Sequence, residues 1–139
     1  MLEIGGLSGI STIALAEAAR QSGGRLISIE IEPKRQAESK KTITSLGLED
    51  WVDYQLGDAG KLVPGLGELD FVLIDCEKED YIRFFDMLRL SPGAVVVADN
   101  ILSHHLTDYV AHVRKRGDAE SITLPIGKGL EVTRLGAKP

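Results

Sequence analysis

The chain has 139 residues, a formal net charge of −5, 43% hydrophobic and 27% charged residues, and a single cysteine, Cys76. That length is one domain, large enough to bury a core without disulfide staples. The acidic balance argues against a general nucleic-acid or anionic-membrane binder, no apolar run approaches the roughly 18 residues of a membrane span, and the lone cysteine with no leader-like start points to a reducing, cytoplasmic compartment.

Leu2 to Ile4 reads as a short buried strand that runs straight into Gly5, Gly6 and Gly9. Ile10, Ile13, Ala14, Leu15 and Ala18 then recur at helical spacing until Gly23-Gly24 stops them. RLISIEI, Arg25 to Ile31, is a strand of branched residues, and Pro33 opens a polar helix that runs to about Leu46. WVDYQLGD is the next strand, and KLVPGLGE is a short link. LDFVLIDC is a nearly continuous apolar strand, EDYIRFFDMLRL an amphipathic helix, and Pro92-Gly93 a turn into the buried strand AVVVADN. His104 to Arg116 is helical by pattern, and AESITLPI with GLEVTRL forms a closing antiparallel hairpin. The alternation predicts an α/β fold with a mostly parallel sheet and helices on both faces. Ligands of such sheets lie beyond the carboxyl ends of the strands.

The glycine turn lets backbone N–H groups and a helix start approach a ligand. It lacks the Gly-Lys-Ser/Thr ending of a phosphate loop. Glu30, about 20 residues on at the end of the second strand, sits where a carboxylate accepts from ribose hydroxyls. Together these indicate a nucleoside ligand, with NAD and S-adenosylmethionine both open. Asp58 is either an acceptor for an adenine amino group or a helix N-cap.

Asp75 ends one central strand, and Asp99 and Asn100 end the strand expected beside it. At roughly 4.8 Å between strands, two carboxylates and an amide oxygen would converge on one hard cation, Mg²⁺, Ca²⁺ or Mn²⁺. Lys78 is either a proton acceptor beside that ion or a surface lysine. His104 and His105 line a substrate mouth or face solvent, and Cys76 reads as a packing residue.

LEIGGLSGIS, IEIEP, GDA, LIDCEKEDY, Asp99-Asn100 and LPIGKGL, in that order, resemble the cation-dependent class I O-methyltransferases, the family of catechol and caffeoyl-CoA O-methyltransferases. The resemblance covers Leu2 to about Leu135. It implies a single methyltransferase domain over residues 1–139, with a Rossmann-like seven-stranded sheet whose last strand is antiparallel. It further implies S-adenosylmethionine as methyl donor, Mg²⁺ or a similar ion, a catechol-like acceptor, and a homodimer as one assembly. By the resemblance, Glu3, Gly5, Gly6 and Ser11 contact the methionine end of the cofactor, Glu30 the ribose, and Asp58 and Ala59 the adenine. Asp75 and Glu77 lie near the cofactor; Asp75, Asp99 and Asn100 are the metal ligands; Lys78 is the general base; His104 meets substrate.

The departures are local. The turn is Gly5-Gly6 with Ser8-Gly9 where relatives have Gly-Thr or Gly-Val followed by Thr-Gly. Asp75-Cys76-Glu77-Lys78 replaces Asp-Ala-Asp-Lys, and Lys128 replaces an aspartate. Relatives carry helices ahead of the first strand, whereas this sequence opens on that strand. Two other readings stay open: a cofactor-binding, non-catalytic remnant or assembly subunit, and an NAD-dependent oxidoreductase.

Overall fold

The structure, a computed structural model, describes residues 1–6, 9–104 and 106–136. Seven strands lie in the order β3-β2-β1-β4-β5-β7-β6. They are β1 (Leu2–Ile4), β2 (Leu26–Glu30), β3 (Val52–Leu56), β4 (Leu69–Ile74), β5 (Leu90–Ala98), β6 (Ala119–Leu124) and β7 (Leu130–Leu135). Among the described residues five α-helices alternate with them: α1 (Ile10–Ser22), α2 (Pro33–Ser45), α3 (Ala59–Leu62), α4 (Tyr81–Met87) and α5 (Thr107–Arg114). The chain divides into two compact units, residues 1–65 and 66–139.

In the first unit β1 pairs with β2, and β2 with β3, all parallel. Thr12, Ala16 and Ala19 form the buried stripe of α1 at helical spacing. Ala16 joins Leu26, Ile43, Leu48 and Val52 in the core, with Ile13, Leu15, Trp51 and Tyr54 packed around them. α2 is polar on most of its surface and buries only Gln36, Ser39 and Ile43.

In the second unit β4 and β5 are parallel, while β7 runs antiparallel to both β5 and β6. Val72, Ile74, Val96 and Ala98 are sealed from solvent, as the continuous apolar strands predict. Tyr81 and Phe85 of α4 meet Tyr109 of α5 edge-on, with ring centroids 5.7 and 5.9 Å apart. Such pairs add about 0.5–1.5 kcal/mol each beyond their buried area.

Asp58 takes the helix-cap alternative: it caps α3, which runs into the short link, by accepting from the Gly60 N–H at 2.8 Å. Three expectations are corrected. Pro92-Gly93 lies inside β5: Leu69 pairs with Leu90 and Phe71 with Val95, so the extra residues form a bulge rather than a turn between elements. The helix expected from EDYIRFFDMLRL ends at Met87, because β5 already begins at Leu90. The helix expected from His104 begins at Thr107, after a turn in which the His104 N–H donates to the Asn100 carbonyl at 3.2 Å.

Candidate active site

The glycine turn belongs to the first unit. Beyond β1 the Gly5 N–H donates to the Ile29 carbonyl at 3.0 Å, extending the ladder with β2 by one bond. Gly9 then takes φ 89°, and its N–H closes onto the Gly6 carbonyl at 2.9 Å. A Cβ at Gly9 would lie 3.2 Å from the Ser39 Cα, so α1 starts with its backbone against α2.

Beneath that turn lies Glu3, with no exposed surface. Its Oε1 accepts from the Ser11 hydroxyl, and its Oε2 accepts from Thr12 at 2.7 Å and Ser28 at 2.9 Å. A Cβ at Gly6 would come within 3.1 Å of both Glu3 Oε2 and Ser28 Oγ. Glu3, Gly6 and Ser11 therefore form one braced cluster, and hydroxyl donors offset the cost of burying the carboxylate.

Glu30 closes β2 and is 5% exposed. Its Oε1 accepts from the Ile31 and Glu32 N–H groups at 3.1 and 3.0 Å. Its Oε2 is sealed from solvent and has no hydrogen-bond partner among the described residues. A buried carboxylate oxygen in that condition is an acceptor awaiting a donor. Asp58 spends one oxygen on the cap of α3, and Ala59 is the buried first residue of that helix.

The second unit holds the acidic strand ends. Ile74 pairs with Ala98, and the Asp99 N–H donates to the Ile74 carbonyl at 3.0 Å, so Asp75 and Asp99 follow their strands in register. Asn100 has φ 63°, the only non-glycine residue with positive φ among the described residues. Asparagine tolerates that region better than most residues, and its presence near a strand end marks a constrained site. The bend carries Asn100 Nδ2 to Asp75 Oδ1 at 2.8 Å, while the Asn100 N–H donates to Asp99 Oδ1 at 2.7 Å. Asp75, Asp99 and Asn100 are thus linked through Asn100. Among the described residues no group of three or more His, Cys, Asp or Glu forms a metal cluster; this set is two carboxylates and an amide.

Glu77 and Lys78 are exposed, and Lys78 opens a 3₁₀ turn, Lys78–Asp80. The Cys76 thiol is pushed up to about 12, first by burial and then by the carboxylates of Asp80, Asp75 and Glu77. It is a poor nucleophile, in keeping with a packing role. His104 is exposed and its Nδ1 shares a hydrogen bond with Ser103 Oγ at 2.7 Å. Ser8 of the glycine turn and His105 lie outside the described residues.

One supporting residue escapes sequence reading. Tyr81 is buried on α4, and its hydroxyl donates to the Asp99 carbonyl at 2.9 Å, fixing the end of β5. In EDYIRFFDM it looks like any apolar-face aromatic; the only signal is that a buried tyrosine needs a partner for its hydroxyl.

Parallel ladders, a glycine turn after the first strand, an acid at the end of the second and a reversed closing pair define a Rossmann-like methyltransferase fold. The chain belongs to the O-methyltransferase family, whose profile matches residues 1–131. It is 40% identical over 109 residues to a catechol O-methyltransferase of Niastella koreensis, covering 73% of this chain and 49% of that protein. It is 37% identical over 106 residues to a catechol O-methyltransferase of Mycobacterium tuberculosis, covering 73% and 48%. The chain thus spans about half the length of these two relatives. Among solved structures, an S-adenosylhomocysteine-bound methyltransferase of Podospora anserina superposes with a TM-score of 0.88 at 22% identity, over 96% of this chain and 70% of that one. The O-methyltransferase TomG of Streptomyces achromogenes, in complex with S-adenosylmethionine, gives 0.85 at 26% identity, over 98% and 72%. No helix among the described residues is long and apolar enough to cross a membrane.

Proposed function

We propose that residues 1–139 are the methyltransferase domain of an S-adenosylmethionine- and divalent-cation-dependent enzyme that methylates a hydroxyl of a catechol-like small molecule. The observation that carries this reading is the contact of Asn100 with Asp75 at 2.8 Å, made possible by the left-handed backbone of Asn100. A costly backbone conformation that aims an amide at a carboxylate suits a ligand-holding site. The names of the catechol O-methyltransferases matched above support the acceptor class.

The donor set fits a hard cation. Asp75 and Asp99 offer carboxylate oxygens, and rotation of the Asn100 amide presents its oxygen where Nδ2 now lies. These three residues would hold Mg²⁺, with Ca²⁺ or Mn²⁺ as the other hard candidates. When bound, such an ion supplies Lewis acidity toward vicinal substrate oxygens.

The cofactor assignment rests chiefly on the first unit. Glu30 Oε2, buried and unpartnered, would accept from a ribose hydroxyl. Gly5, Gly6, Glu3 and Ser11 form or brace the turn for the amino-acid end, and Asp58 and Ala59 would meet the adenine. Asp75 and Glu77 are the remaining residues assigned to the cofactor. S-adenosylmethionine supplies an electrophilic methyl group on a sulfonium.

In the proposed reaction the substrate places two vicinal hydroxyls at the Asp75–Asn100 end of the second unit. Lys78, an exposed amine three positions beyond Asp75, accepts the proton of the hydroxyl to be methylated. The oxyanion would take up the methyl group that S-adenosylmethionine supplies, the new C–O bond replacing the C–S bond, whose electron pair would stay on sulfur. His104, on the turn after Asn100, lines the substrate mouth.

Calorimetric titration with S-adenosylhomocysteine and with NADH, followed by methylation of a simple catechol in Mg²⁺ or in chelator, tests this. Binding of the homocysteine compound alone, with turnover abolished by chelator, is the expected result. Undiminished turnover in chelator would end the metal-assisted reading.

A further inference from the structure

The buried face of α2 carries Gln36, Ser39 and Ile43. Ile43 belongs to the apolar core, and Ser39 touches Gly9 and hydrogen-bonds Tyr54 at 2.8 Å. Gln36 has no such use. It is 7% exposed, and its Nε2 is sealed from solvent with no hydrogen-bond partner among the described residues. Keeping an amide donor buried and unpaired is unfavourable, so an apolar side chain of similar size would be the better choice for a merely structural position.

Its place in the helix says where that donor is aimed. Ser39, one turn further along the same face, packs on the glycine turn. Long helical side chains lean toward the helix N-terminus, which for α2 begins at Pro33, three residues beyond the end of β2. The end of β2 holds a second orphan among the described residues, Glu30 Oε2. One orphan is a donor and the other an acceptor, and they do not pair with each other. A hydroxyl group, able to donate and to accept, complements both.

We propose that Gln36 is a further cofactor-binding residue: its Nε2 donates to a ribose hydroxyl oxygen of the nucleoside cofactor while Glu30 Oε2 accepts a ribose hydroxyl proton. This rests on the nucleoside reading of the preceding section. Gln36 thereby adds a donor to a contact otherwise made by an acceptor alone, and discriminates for the diol.

The test uses the full chain, its Gln36→Met variant, which keeps the volume and removes the donor, and Gln36→Asn, which withdraws the amide by one methylene. Each is titrated with S-adenosylhomocysteine and with its 2′-deoxy and 3′-deoxy analogues, and the unliganded proteins are melted. Gln36→Met is expected to bind S-adenosylhomocysteine about five- to tenfold more weakly. That deficit disappears with the analogue that lacks the contacted hydroxyl, and the unliganded melting temperature is unchanged or higher. Gln36→Asn shows the same loss of affinity. Unchanged affinity in both variants, or a deficit equal for all three ligands, overturns the role of Gln36. Failure of the unmodified chain to bind S-adenosylhomocysteine overturns the nucleoside reading instead.

Discussion

The side-chain amide of Asn100 donates to Asp75 Oδ1 at 2.8 Å, joining the ends of two strands that lie in register at Ile74 and Ala98. Two separate properties of Asn100 make the contact: its reach, and its tolerance of φ 63°. Substitution separates them. Asn100→Gly keeps the backbone and removes the amide, whereas Asn100→Ala removes the amide but keeps a Cβ in left-handed space, at a cost of about 1–2 kcal/mol relative to glycine. Both variants are expected to lose turnover of a catechol. In denaturant titrations the alanine variant should unfold earlier than the glycine variant by that margin. Equal stability of the two would mean that the left-handed bend is not held in solution.

Gly129 makes the complementary backbone prediction at the closing hairpin. It has φ 89°, and a Cβ there would lie 2.6 Å from Leu102 Cγ and 2.9 Å from the Leu102 nitrogen. The same segment is tied by Ile101 N–H to the Gly129 carbonyl at 3.1 Å and Leu102 N–H to the Lys128 carbonyl at 3.0 Å. Gly129→Ala combines left-handed strain with a backbone clash, for a loss of about 2–4 kcal/mol in unfolding free energy. The turn bearing His104 would shift with Leu102, so the KM for catechol should rise while affinity for S-adenosylhomocysteine holds. An alanine variant as stable as the parent would refute this.

How far the sequence reaches depends on whether a feature is local. The strands β4 and β5 were legible because sheet-centre strands need apolar residues on both faces, and LDFVLI and AVVVA provide them. The family motifs point to Asp75, Asp99 and Asn100, but not to the left-handed backbone through which Asn100 reaches Asp75. Pro92-Gly93 reads as a turn because a bulge and a turn use the same residues; only pairing with Leu69 and Phe71 tells them apart. Buried polar groups were the least legible. Glu131 looks like a surface residue of the last hairpin, yet it is fully buried. It accepts from Arg114 at 2.9 Å and Ser121 at 2.7 Å, and from Thr123, partners 17, 10 and 8 residues away. Gln36 is hidden for the same reason: α2 is polar almost throughout, so one more polar residue carries no signal.

The aromatic cluster of the second unit governs behaviour in alkali. Burial, chiefly, raises the Tyr109 hydroxyl well above the usual tyrosine range, and nearby Glu131 adds to it. Tyr81 is raised mainly by burial as well, and Tyr54 of the first unit by burial against an opposing hydrogen bond from Ser39. Each folded pKa therefore exceeds the unfolded value of about 10. The stability these groups contribute is full below about pH 10 and is lost as pH rises from there toward the folded values. Tyrosinate absorbance and helical circular dichroism should change together in one cooperative step above that pH. Smooth ionisation of Tyr81 and Tyr109 near pH 10 with the helices intact would contradict their burial.

Lys78 tests the chemistry apart from the binding. It stands exposed at the start of a 3₁₀ turn, between Glu77 and Glu79, and three residues past Asp75. Were it a surface lysine, Lys78→Ala would leave turnover within a few-fold of the parent. As the proton acceptor for the substrate hydroxyl, its removal should lower kcat roughly 100- to 10,000-fold, the range typical of a positioned acid or base. Affinity for S-adenosylhomocysteine should not change, because no cofactor contact is assigned to this side chain. Lys78→Arg separates charge from proton transfer: a guanidinium keeps the positive charge and does not give up its proton at working pH. Arginine should thus fail almost as badly as alanine. A Lys78→Arg enzyme with parental kcat would assign the residue an electrostatic role and leave the proton to another acceptor.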